Sequence, residues 1–171
     1  MMARLNGELH RKALRLFVAI VLVHWLEHIA QAIQIWVLGW DPSIAGGVLG
    51  MFFPTLVAQE GLHYAFALFM LVGLFALRPA FAGSARIWWT VALAIQFWHH
   101  IEHVLLFAQA IAHENLFGRA VPTSIAQLII PRVELHQFYT AVVTVPILIG
   151  AYLHMNRAGR AATTCDCASG G

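Results

Sequence analysis

The chain has 171 residues, 60% of them hydrophobic and 11% charged, with a formal net charge of +2 and a mean hydropathy of +0.74. That composition excludes an ordinary soluble domain and reads as an integral membrane protein. Membrane orientation accounts for the basic residues, and nothing points to a nucleic-acid partner.

Four apolar stretches are long enough to cross a hydrocarbon core of about 30 Å, which takes about 20 helical residues. The first, over about 14–40, carries His24-Trp25-Leu26-Glu27-His28. It follows a basic N-terminus, but it holds charge and no small-residue cleavage site follows its apolar run. It therefore reads as a retained helix and not as a secretory signal. His24, Glu27, His28 and Gln31 stand at i, i+3, i+4 and i+7, on one helical stripe. The second stretch, about 51–77, contains Glu60-Gly61-Leu62-His63-Tyr64. The third, about 87–112, contains His99-His100-Ile101-Glu102-His103, with Gln96 on the same stripe. The fourth, about 131–155, opens with Glu134-Leu135-His136-Gln137-Phe138-Tyr139 and includes Pro146, which frees a backbone carbonyl and is expected to kink its helix. Residues 161–171 read as a flexible cytoplasmic tail, and its Cys165 and Cys167, without histidine neighbours, as ordinary tail residues.

The polar residues repeat. HxxEH occurs twice, at an offset of 75 residues, and the same offset takes Arg11 to Arg86. Glu60 follows Glu27 by 33 residues and Glu134 follows Glu102 by 32, so each half of the chain offers two helices with one Glu apiece. The expected fold is an all-α four-helix transmembrane bundle forming a single domain over 1–160, built from two pseudo-symmetric hairpins related by an axis along the membrane normal. Arg4, Arg11, Lys12, Arg15, Arg78, Arg86, Arg157 and Arg160 lie on one side, against Arg119 and Arg132 on the other. Because Lys and Arg mark cytoplasmic segments, both termini are expected inside, in a multi-pass protein of the plasma membrane. Trp36 and Trp40 would anchor the outer interface, and Trp88 and Trp89 the inner one.

At about 1.5 Å of rise per residue, His28, Glu60, His63 and His103 share a layer about 10 to 20 Å below the outer surface, with Glu134 and His136 shallower unless the short apolar run Ile125 to Ile130 re-enters the membrane and lowers them. Uncompensated carboxylates at that depth cost several kcal/mol each, so they must be protonated, paired with imidazolium or bound to a cation. HxxEH sets two imidazoles one turn apart, where both reach one ion. The candidate ligands are His24, Glu27, His28, Glu60, His63, His99, His100, Glu102, His103, Glu134 and His136. Together they suit two metal ions, with iron ahead of copper or zinc because the set mixes carboxylate with imidazole. Copper is selected if the carboxylates only support the imidazoles. Gln31, Gln96 and Gln137 are expected in a supporting hydrogen-bond network, Tyr64 and Tyr139 in interfacial packing, and His10, His113 and His154 at surface or interfacial positions.

Three short motifs carry resemblances. HxxEH is similar to the motif of inverted zinc proteases, where its Glu is a general base. Glu60 to His63 resembles the ExxH of ferritin-like dimetal carboxylate bundles, from which Glu134 to Gln137 departs. The spacings His24 to His28 and His99 to His103 are similar to the HxxxH box of membrane di-iron hydroxylases and desaturases. The chain lacks their HxxHH boxes, so their activity is not carried over.

The functional expectation is a membrane metalloprotein, an oxidoreductase acting on an apolar or membrane-associated substrate, with a lipid environment, an electron-transfer partner or larger membrane complex, and homo-oligomerisation as its associations. The alternatives are a haem b electron carrier, a metal or proton transporter, and an accessory subunit of a complex. With Cys165 and Cys167 replaced by Ser, a membrane-impermeant thiol reagent on intact cells should label Ser43→Cys and Ala120→Cys but not Ser84→Cys. The reverse pattern would invert the orientation.

Overall fold

The computed structural model describes residues 2–156, all of them in helices or in the turns and loops between, with no strand among the described residues. The tail at 161–171, with Cys165 and Cys167, lies outside them. In chain order the α-helices are α1 (Met2–Leu5), α2 (His10–Trp36), α3 (Gly47–Phe52), α4 (Pro54–Val57), α5 (Glu60–Leu77), α6 (Gly83–Ala112) and α7 (Arg132–Met155). Four segments are long and apolar enough to span a membrane: α2, α5 extended through a 3₁₀ turn to Ala80, α6 and α7.

The second span begins at Glu60 and not near Met51. Pro54 lacks an N–H and disfavours helical geometry in the residue before it, and Phe53 accordingly has φ −133° and ψ 60°. Gln59 is extended as well, so two short helices precede the span and Glu60 enters its first turn. A carboxylate there complements the helix dipole, as does Glu134 in the first turn of α7.

α6 packs along both α5 and α7, and α2 closes the bundle mainly against α7. One end of the bundle holds the apolar core, including Leu14, Phe17, Leu74, Phe81, Trp89, Val143 and Ile147. Trp89, expected at an interface, is fully buried, and its indole N–H donates to the Leu74 carbonyl at 2.8 Å. Its neighbour Trp88 remains exposed. A Cβ on Gly150 would stand 3.3 Å from the Ala85 carbonyl, so the missing side chain lets α6 and α7 approach closely. His10 and His154 also depart from expectation, for both are 0% exposed. Their rings meet edge to face at 5.0 Å and pack on Phe81 from the α5–α6 turn, while Asn6 beyond α2 donates to the Ala76 carbonyl and closes that end. His113 is exposed at the C-cap of α6, in the left-handed region at φ 55°.

At the other end, side chains of α2 and α6 hold the loops. The Leu49 N–H donates to Glu27 Oε2 at 2.9 Å, and the Ala126 N–H reaches both Glu102 oxygens at 3.2 and 3.3 Å. Gln34 forms a two-way clamp with Gly47, donating to its carbonyl and accepting from its N–H, and Gln109 does the same with Thr123. In the loop between, Asp41 accepts from the Ser43 hydroxyl and N–H, which holds its carboxyl below the usual carboxylate range.

Gly47 has φ +71°, and a Cβ there would meet Glu27 Oε2 at 2.6 Å and the Glu27 carbonyl at 2.7 Å. Gly39 has φ +68° with open space around it. Gly39→Ala should lose about 1 kcal/mol from left-handed strain alone, and Gly47→Ala roughly 2 kcal/mol more. Thermal unfolding in detergent measures the difference, and equal losses would refute the tight seat against Glu27.

Candidate metal centre

Helical periodicity brings the imidazoles together. On α2, His24 and His28 lie one turn apart with their Nε2 atoms 3.0 Å from each other. On α6, His99 and His103 repeat the arrangement at 3.2 Å. His136 of α7 sets its Nε2 3.2 Å from that of His28, with its ring 5.6 Å from the rings of His99 and His103. His63 of α5 completes the group, its ring 5.6 Å from His136 and 6.1 Å from His103.

Two groups result, His24/His28/His136 and His99/His103/His136, each offering three ligand atoms within 4.8 Å of one another. Nitrogens bound tetrahedrally at about 2.0 to 2.1 Å from one ion lie about 3.4 Å apart. The Nε2 separations within α2 and within α6 are close to that value, so these histidines could hold a metal ion with little rearrangement. Both triads draw on His136.

The surroundings orient the rings. His63 Nδ1–H donates to the Gln59 carbonyl at 3.0 Å, which leaves the lone pair on Nε2. His28 Nδ1 faces Gln31 Oε1 at 3.4 Å. Gln137 donates to the His28 carbonyl at 2.8 Å and touches Gln31 Oε1 at 3.3 Å, while Gln31 donates to the Ala45 carbonyl. His24 stacks on Phe66 at 3.8 Å, and His99 packs on Tyr139, whose hydroxyl accepts from the Trp98 indole. Gln96 donates to the Ala67 carbonyl. A cavity opens among His24, His63, His99, His103 and His136, and its remaining wall includes Val21, Phe66, Met70 and Val143.

The structure divides the residues singled out from the sequence. His24, His28, His63, His99, His103 and His136 are brought together. Glu27 and Glu102 are bound to loop amides, and Glu60 is ion-paired with Arg132. Glu134 is exposed, and His100 stacks on Tyr64, which itself lies flat on Phe107. The clamps Gln34 and Gln109 were missed, although each follows the Glu of an HxxEH motif by seven residues. Arg132 was missed as the partner of Glu60, since the pairing joins helices 72 positions apart in the chain.

Comparison with protein-family models, curated proteins and solved structures finds no match. The reading of the site therefore rests on its own geometry.

His136 serves both triads. His136→Ala should lower the metal content of purified protein further than His24→Ala or His99→Ala, and elemental analysis of the three variants checks the order. Gln137→Leu, which releases the His28 carbonyl and Gln31, should weaken metal affinity about 10-fold; an unchanged affinity would show that the carboxamide does not orient the site.

Proposed function

We propose that the protein is an integral membrane metalloprotein whose imidazole cluster holds copper, and that it acts as an oxidoreductase on an apolar or membrane-associated substrate. The observation that carries this reading is the pair of all-histidine triads joined at His136, beside a small cavity whose wall is part apolar. Iron is the preference while the carboxylates count as ligands. The groups of side chains whose ligand atoms converge contain histidines and no carboxylate, so the donor set is imidazole, and the Irving–Williams order favours copper among the divalent metals such a set binds. Bound copper supplies one-electron redox chemistry. The chain's own part is to orient the rings through Gln59, Gln31 and Gln137, and to offer Val21, Phe66, Met70 and Val143 as a surface for apolar substrate.

His24, His28 and His136 would hold one ion and His99, His103 and His136 are the alternative set, so His136 would belong to the site in either case. Haem is disfavoured by crowding, because centroid separations of 4.5 Å along His24, His28 and His136 leave no slot for a macrocycle.

The finer topology belongs to the same proposal. The parallel roles of Glu27 and Glu102, and of Gln34 and Gln109, support two hairpins of common design. The distribution of Lys and Arg supports inner termini and, with them, a cluster toward the outer surface.

Protein purified from copper-supplemented cells should contain one or two copper atoms per chain, give a Cu(II) paramagnetic resonance spectrum with nitrogen splitting, and lack a Soret band. Stoichiometric iron without copper, or a haem spectrum, would overturn the copper reading.

A further inference from the structure

A second cavity abuts the cluster. His99, His103, His136 and Tyr139 line both cavities and form the partition between them. Both walls are mixed: the first has Gln96, Thr140 and Thr144 beside its apolar side chains, and the second has the charged Glu102 and Arg132 together with Ser124 and Gln127. Neither cavity reaches His28 or Glu27. The two triads therefore differ in surroundings, although their histidine spacing is the same.

Ser124 is 1% exposed, and its hydroxyl has no hydrogen-bond partner. Its own N–H is occupied with Gln127 Oε1 at 3.1 Å, so it is the hydroxyl alone that is left over. Glu102 is 3% exposed, and its two oxygens share a single long contact with the Ala126 N–H, which leaves most of its acceptor capacity unused. Buried polar groups in native proteins are almost always satisfied, by protein or by bound solvent. A cavity with a hydroxyl donor, a carboxylate and a carboxamide on its wall meets the requirement for a bound water, which needs two to four polar partners. Arg132, with its side chain 41% exposed and tied to Glu60, marks where the cavity approaches the surface.

We infer that this vestibule seats a small polar ligand, water or a solute of about that size, against the His99/His103/His136 triad. That triad is then the position of the metal centre open to polar reactants, whereas His24/His28/His136 meets only the first cavity, through His24 and His136. Polar reactants reach the metal from the Arg132 side, and the first cavity is left to the other substrate. The inference rests on the proposed metal centre.

Azide serves as the probe on the full-length, copper-loaded protein. It should bind saturably, with an azide-to-copper charge-transfer band. Ser124→Leu, which fills the vestibule, should weaken azide binding at least tenfold at unchanged copper content, and Ser124→Thr, which keeps the hydroxyl and adds one methyl, should weaken it a few-fold. Azide affinity unchanged in Ser124→Leu, or in Ser124→Thr where the larger substitution fails to fold, overturns the vestibule and leaves the metal centre standing. Copper-loaded wild-type protein that binds no azide does the same. Failure of the wild-type protein to bind copper overturns both.

Discussion

The segments that follow α2 and α6 fold back on those helices, and four of their side chains answer the returning backbone groups. Glu27 and Gln34 on α2, and Glu102 and Gln109 on α6, accept from or donate to the backbone of the loop that follows each helix. A buried backbone group left unpaired costs free energy, so these contacts fix where the loops return and which way the carboxylates turn. The chemistry of the cluster depends on that assignment. With Glu27 and Glu102 engaged by amides, the histidines beside them in the same motifs are left to one another. A site that mixed carboxylate and imidazole would select its metal differently.

The second requirement is a frame that keeps imidazoles from four helices in register. The apolar layer supplies it from the opposite end. Trp89 fills the centre of that layer, hydrogen-bonded to α5 and stacked on Phe81. Gly150 brings α7 close to α6 on its other flank. His99 and His103 lie on α6 and His136 on α7, so the close contact between these two helices positions three of the six imidazoles. The two layers divide the labour, the apolar one fixing helix spacing and the polar one exploiting it.

Four spans and an all-helical fold were legible because hydropathy and the 3.6-residue period act locally, whereas His136, expected shallower than the other histidines, lies among them in both triads. The start of the second span was less so, since apolar composition persists through 51–59 and only the backbone constraint at Phe53 and Pro54 separates the short helices from α5. The carboxylates show a different gap. A Glu one turn from one histidine and next to another suggests a ligand, but whether it turns toward the imidazoles or toward a loop amide depends on where a loop 22 or 24 residues away returns. His10 and His154 illustrate the same point at the other end. Each stands near the end of its helix, and both are covered because the α5–α6 turn lays Phe81 over them.

The departure from symmetry on α7 gives the centre its direction. ExxH occurs on α5 as Glu60 and His63, whereas α7 has His136 two residues after Glu134 and Gln137 at the third position. That one-residue shift carries His136 to the middle of the cluster, within reach of both triads, and leaves Gln137 to bind the His28 carbonyl. A His at 137 in place of Gln would turn about 100° around the helix from His136, so one residue could not join the two histidine pairs while the other braced one of them. Sharing His136 couples the triads, and bracing His28 alone makes them unequal. The cavity beside His99 and His103 follows the same inequality, since it opens on the half of the cluster that Gln137 does not hold.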